Sequence, residues 1–215
     1  MLTKNKFLII LTTLICLLPM VAGILLWDQL PEQVPSHWGI DGQVDGWSSK
    51  EFAVFFFPAL MAGIHLLCIF ASQLDPKGNN YPPKMIQLVL WICPVLSLLL
   101  NSIIYAFALG YDLLNVPTIL CALVGILFIF IGNYLPKCRQ SYTLGIKLPW
   151  TLDDEGNWNA THRFAGWVWL LCGVAMLATA FLGIFWILVG IMLVAALTPT
   201  IYSYLYYRKH KKGTD

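Results

Sequence analysis

Six stretches of this chain run for about the length of a bilayer-spanning helix without a single Lys, Arg, Asp or Glu. They cover roughly Phe7–Trp27, Phe52–Leu74, Met85–Gly110, Val116–Leu135, Phe164–Leu182 and Gly183–Tyr206. Roughly 20 apolar residues suffice to cross the hydrocarbon core of a membrane as a helix. Only 11% of the 215 residues are charged, against ~25% in an ordinary soluble domain, too few to cover the surface of a soluble fold of this length. The pattern predicts an all-α, polytopic membrane protein with six transmembrane helices. The first stretch is too long for the apolar core of a signal peptide, and LWDQLPEQ is a poor cleavage site, so it reads as the first helix. Only FLGIFW divides the last two stretches, which predicts a tight helical hairpin.

The basic residues predict the orientation. Of the 13 Lys and Arg, all but Lys50 fall on one side if loops alternate between the two faces. That side carries Lys4, Lys6, Lys77, Lys84, Lys137, Arg139, Lys147, Arg163, Arg208, Lys209, Lys211 and Lys212. Short cytoplasmic loops are enriched in Lys and Arg, so both termini are expected in the cytoplasm. Two halves follow. Residues 1-110 form a three-helix half with a folded external loop, 28-51, and residues 111-215 form a three-helix half with a cytoplasmic loop, 136-163. Five of the six Cys lie in apolar stretches and Cys138 on the inner side, with no CxxC spacing, so they read as packing residues. The basic tail RKHKKGTD reads as an anchor against anionic headgroups.

The external loop LPEQVPSHWGIDGQVDGWSSKE is dense in turn chemistry. Pro31 and Pro35 favour extended backbone, while Asp41-Gly42 and Asp45-Gly46 are turn dipeptides. Ser48 or Ser49 is placed to cap the second helix. Asp28, Glu32, Asp41, Asp45 and Glu51 face only Lys50 in charge, and Trp38 and Trp47 suit the headgroup level. Three readings of the loop stand side by side. One is a divalent-metal site from His37, Asp41 and Asp45. Another is a receptor surface for a cationic or amphipathic peptide. The third is a structural plug built of turns and interfacial anchors.

Inside the spans, Pro19, Pro58, Pro94 and Pro199 either kink their helices or serve packing. His65 is either a functional intramembrane group or a neutral bridge between helices, with Asn101 and Asn133 as candidate partners. A small-solute transporter or channel would use such a polar pathway. No P-loop, HExxH, GxSxG or paired nucleophile and base is present, so no catalytic residues, cofactor or resident metal are expected, and an enzyme using a metal at His37 stands only as an alternative.

The cytoplasmic loop opens with a basic run, Pro136 to Lys147, and continues into a helix expected to start at Thr151, whose hydroxyl would accept from the Asp154 amide. Asp153, Asp154 and Glu155 suit its positive end, and Trp150 and Trp158 are expected at the interface. The run GNYLPKCRQSYTLGIKLPWTLDDEGNWNATHRFAGWVW resembles the signature region of the SdpI family of membrane proteins. Ser141 and Leu148 depart from it, where Asn and Thr are usual. The external loop is similar to the domain of unknown function that precedes that region in full-length members.

The resemblance implies an immunity protein of the bacterial plasma membrane that protects against a secreted peptide toxin and holds a small cytosolic repressor at the membrane. No direct binding of nucleic acid is expected. The outer positions it implies are Pro35, His37, Gly42, Asp45, Trp47 and Lys50, beside Trp38 and Asp41. The inner ones are Asn133, Pro136, Lys137, Arg139, Tyr142, Gly145, Lys147, Pro149, Trp150, Thr151, Trp158, Thr161, His162 and Arg163. A structural lid is the competing reading of the inner set.

Overall fold

The computed structural model describes residues 5–39, 41–78, 81–111 and 115–211, with Lys211 described by its backbone alone. Lys4 and Lys212, which contribute to the charge count, lie outside the described residues. Helix α1 spans Lys6–Leu25, strands β1 and β2 span Gln33–Trp38 and Val44–Ser49, and a π-helical turn at Phe52–Phe56 runs into α2, Phe57–Leu74. Helices α3, Pro83–Ala108, and α4, Val116–Tyr134, follow; α4 tightens into a 3-10 turn at Leu135–Lys137. A short α5, Pro149–Asp153, precedes α6, Glu155–Leu182, and α7, Ile187–Lys211. Among the described residues, six helices have the length and apolarity of membrane spans, as expected. The loop between α1 and α2 adds a two-stranded antiparallel sheet, a local exception to the helices that make up most of the described residues.

The fifth span begins at Glu155, more than two turns before the expected Phe164. Hydropathy fails there because Asn157, Thr161 and His162 are polar, yet all three are buried. The Asp154 carboxylate accepts from the Gly156 amide at 2.7 Å and caps this helix. Thr151 does not start a helix as expected. It occupies the third position of α5, where its hydroxyl accepts from the Leu148 amide and donates to the Ile146 carbonyl, each at 2.9 Å.

The chain divides into two compact units. One holds Met1–Leu74 with Ile86–Pro117, the other Asp75–Met85 with Thr118–Asp215. In the first, polar side chains of α3 bond to the backbone of α1: the Ser97 hydroxyl donates to Cys16 O at 2.8 Å and the Tyr105 hydroxyl to Pro19 O at 3.1 Å. His65 is fully buried on α2, and its partner is Thr12 on α1, at 3.0 Å, rather than either asparagine. Asn101 donates to Ser97 O of its own helix, and Asn133 is exposed on α4.

The second unit is organised by close backbone approach. A Cβ at Gly125 of α4 would stand 2.9 Å from Gly173 O of α6, and one at Gly173 would stand 2.6 Å from Gly125 O. The pair Gly132 and Gly166 repeats the contact two turns away, at 2.9 and 2.8 Å. The order of the pairs makes the helices antiparallel. In a bilayer, where lipid is as apolar as leucine, such small-residue contacts supply association through dispersion. Gly173→Val should therefore destabilise the protein by about 2–3 kcal/mol, seen as a lowered unfolding midpoint in detergent by tryptophan fluorescence. Gly190→Ala should be neutral or stabilising, because nothing lies within 4 Å of its Cβ position.

Candidate functional sites: an acidic hairpin and a carboxylate-pinned loop

The hairpin pairs Gln33 with Ser49, Val34 with Ser48 and Pro35 with Trp47, then shifts register so that His37 faces Gly46 and Trp38 faces Val44. Its tip closes with Gly39 N donating to Gln43 O at 2.8 Å, Gly42 in the left-handed region at φ +81°, and Asp41 Oδ1 accepting from Gln43 N at 3.1 Å. A side chain at Gly42 would also strike Asn115, 2.8 Å from its Cβ position. At the base, Val34, Leu30, Ala53, Val54 and Tyr105 form one buried cluster. The Lys50 ammonium sits 2.7 Å from Glu32 Oε1 and 4.7 Å from the centre of the Trp27 ring. Ser49 accepts from Phe52 N at 3.3 Å, the cap expected of it.

The expected outer residues thus separate. Pro35 and Lys50 are buried in the base, Gly42 shapes the tip, and Trp38 packs edge-on against Phe107 at 5.7 Å. His37, Asp41, Asp45 and Trp47 are exposed, with His37 Nδ1 held against Asp45 Oδ1. The His37, Asp41 and Asp45 side chains do not converge on one point: among the described residues no three His, Cys, Asp or Glu side chains are grouped so that they could hold a metal ion. Asp41 turns instead to the hairpin's own backbone.

The second site is built on a residue the sequence reading passed over. Asp75 follows α2, is 8% exposed, and gathers donors around Oδ2. These are the hydroxyls of Tyr81 (2.6 Å), Ser141 (2.7 Å) and Thr143, and the amides of Tyr142 (2.9 Å) and Thr143 (3.0 Å). Its Oδ1 accepts from the Lys77 amide at 2.8 Å. Burial alone would raise its pKa. The Thr143, Tyr81 and Ser141 hydroxyls, with the Lys77 amide, outweigh burial and hold the carboxyl well below the usual carboxylate range. Burial and the neighbouring Asp75 in turn push the Tyr81 phenol up. Gln140 extends the network, accepting from the Lys77 ammonium and donating to the carbonyls of Thr151 (3.0 Å) and Leu152 (2.7 Å).

The far end of the loop closes on an aromatic pair. Trp158 is fully buried, donates from Nε1 to Cys138 O at 2.8 Å and stacks on His162 at 4.0 Å. It is a core residue, not the interfacial anchor expected. His162 Nε2 accepts from the Ile146 amide at 2.9 Å, which assigns the proton to Nδ1, donating to Trp158 O at 2.8 Å. Gly145 has φ +109°, and a Cβ there would stand 2.8 Å from the Trp158 ring, so only glycine lets the chain pass. Burial pushes the Cys138 thiol up to about 12, so it is not a thiolate nucleophile at neutral pH. Asn157 donates to Ser203 O at 3.1 Å and accepts from Thr161 at 2.9 Å, while Trp150 Nε1 donates to Ser203 Oγ at 2.6 Å.

The expected inner residues therefore fall into a frame and a surface. Gly145, Trp150, Thr151, Trp158, Thr161 and His162 hold the loop together, and Pro136 packs its ring against Gly166. Asn133, Lys137, Arg139, Tyr142, Lys147, Pro149 and Arg163 remain exposed. Among the described residues, Arg139, Lys147 and Arg163 have no acidic partner; the ion pairs found there are His37–Asp45 and Lys50–Glu32.

Six spans carrying one structured hairpin and one hydrogen-bonded polar loop define a multi-pass membrane protein whose polar chemistry is concentrated in its connections. The chain belongs to the SdpI family. The SdpI/YfhL protein family matches residues 137–203, and a domain of unknown function, DUF1648, matches residues 14–62. The chain is 30% identical to "Immunity protein SdpI" of Bacillus subtilis (strain 168) over 207 residues, which cover 93% of this chain and 96% of that one. No solved structure matches it. The six apolar helices and this bacterial likeness place the chain in the plasma membrane as a multi-pass protein.

Asp75→Asn would put an amide among six donors, five of them gathered at the Oδ2 position. A charge-assisted set of this kind is worth about 2 kcal/mol, so trypsin should cut at Arg139 and Lys147 roughly 30-fold faster in the variant. The ionised carboxylate stabilises because its folded pKa is depressed below the ordinary ~3.9. Its contribution is complete above that value and is lost as pH falls through the folded pKa. Hydrogen exchange of residues 138–148, compared between the native protein and the variant from neutral to acidic pH, checks both statements.

Proposed function

We propose that this chain is an immunity protein and receptor for a secreted, membrane-active peptide toxin. In this reading the hairpin faces outward, residues 136–163 face the cytoplasm, and both termini are cytoplasmic. The observation that carries the proposal is the 30% identity over 93% of the chain to a protein named for immunity. The basic residues, all but Lys50 on one side, support the orientation. Exposed Asp41, Asp45 and Trp47 on a rigid hairpin supply charge and an aromatic face for a cationic, amphipathic peptide. Binding rather than catalysis fits both histidines: among the described residues the exposed His37 ring pairs with Asp45 and with no Ser, Thr or Cys side chain, and both nitrogens of His162 are committed to backbone.

A signalling role extends the same reading. Exposed Arg139, Lys147 and Arg163 form a cationic surface on which a small cytosolic repressor docks when toxin is present. The hairpin's second strand runs into α2, and α2 leads directly to Asp75, whose carboxylate binds the amides of Tyr142 and Thr143. A toxin that binds two arrangements of the hairpin with different affinity would bias the loop through this helix.

Two sets of variants separate the jobs. Asp41→Asn with Asp45→Asn should weaken toxin binding several-fold at low salt, and less as added salt shortens the screening length toward ~8 Å. Surface plasmon resonance on protein in lipid nanodiscs reads this, and unchanged binding leaves the hairpin a structural plug. Arg139→Ala or Arg163→Ala should abolish recruitment of a fluorescent partner to the membrane while cells still survive toxin. Joint loss of survival and protein abundance would return these residues to a structural lid.

A further inference from the structure

At one end of α3 and α4 lies a cleft lined by Pro82, Pro83, Lys84, Met85, Tyr134 and Lys137. Pro83 to Met85 form the first turn of one membrane span, and Tyr134 with Lys137 form the last turn of another. The cleft therefore opens where two spans leave the hydrocarbon layer. Its floor is apolar, made by the two prolines and the methionine. Its rim is cationic: Lys84 is exposed, and the Lys137 ammonium lies 5.2 Å over the Tyr134 ring. Among the described residues neither lysine has an acidic partner. Asp75, the carboxylate nearest in sequence to Lys84, is already committed to Tyr81, Ser141, Thr143 and the loop amides. Pro83 also heads a 26-residue helix, whose first amides and dipole add positive potential at the same rim.

We propose that this cleft is a binding site for one anionic phospholipid. The headgroup phosphodiester is held between the Lys84 and Lys137 ammonium groups, and the first carbons of an acyl chain lie against Pro82, Pro83 and Met85. Two features select a lipid over a soluble anion. The floor offers apolar contact that inorganic phosphate cannot use, and the spans deliver the cleft to the depth where phosphodiesters are concentrated. The Tyr134 ring beneath Lys137 is an amphipathic group at the level of the headgroups. A bound lipid of this kind would neutralise Lys84 and Lys137, which have no acidic partner among the described residues.

Native mass spectrometry of the delipidated full chain tests the proposal, with phosphatidylglycerol and phosphatidylcholine of matched chains titrated separately. Phosphatidylglycerol should be retained in preference, as one tightly held molecule. Lys84→Gln with Lys137→Gln should weaken it on the order of tenfold, toward the level of phosphatidylcholine, whereas Lys84→Arg with Lys137→Arg should keep it. Arg208→Gln with Lys209→Gln removes the same charge from the tail and should change retention less than about twofold. On the unaltered protein, photoactivatable phosphatidylglycerol should crosslink to peptides containing residues 82–85 or 134–137. Equal loss in the tail variant, displacement of the lipid by inorganic phosphate, or crosslinks confined to other peptides would each overturn the site.

Discussion

Inside a bilayer there is no water to take a hydrogen bond, so every buried polar group must find its partner within the protein. This constraint explains most of the polar contacts between the spans. Hydroxyls of α3 reach the backbone carbonyls of α1 at Cys16 and Pro19. The Cys121 thiol of α4 reaches Met176 O of α6 at 3.3 Å, and the Trp169 indole of α6 reaches Ala195 O of α7 at 3.0 Å. His65 is satisfied in part by Thr12. These bonds run between helices, so they also fix which helices are neighbours within each unit. The paired glycines of α4 and α6 act in the same direction by letting two backbones meet without side chains between them.

The same logic operates beyond the spans. Residues 138–148 have no regular structure, yet several of their backbone donors are bound by side chains. Asp75 collects two of their amides and two of their hydroxyls, and His162 takes the Ile146 amide. A carboxylate, an imidazole and the hydroxyls of Ser141 and Thr151 thus stand in for the ladder of hydrogen bonds that a helix or strand would supply. Ser141, where the family pattern usually has Asn, is fully buried and donates to Asp75. The departure lies in the frame that shapes the loop and not on its exposed face.

Family membership gives the chain a setting, and the structure gives its motif residues separate tasks. In the hairpin, Lys50 and Pro35 hold the base while Asp41, Asp45 and Trp47 face out. In the loop, Trp158, His162 and Gly145 form an interlocked core while Arg139, Lys147 and Arg163 face out. A motif read as one docking site is therefore a scaffold with a small exposed surface on it. Substitutions in the scaffold act through folding, so a test of the proposed docking belongs on the exposed residues.

The six spans were legible in the sequence because hydrophobic length is a local property, set by the thickness of the lipid layer and read one helix at a time. The turn at Asp41-Gly42 was legible for the same reason, since positive φ favours glycine wherever the chain lies. The start of α6 was not, because Asn157, Thr161 and His162 look solvent-facing until Ser203, Asn157 itself and Ile146 are seen to satisfy them. Trp158 was misplaced at the interface because an indole suits either an interface or a core, and only its partner, Cys138 O, decides. Asp75 was passed over as one charge in a short connection. Its importance comes from Ser141, Tyr142 and Thr143, more than sixty residues away, which only the folded chain brings to its carboxylate.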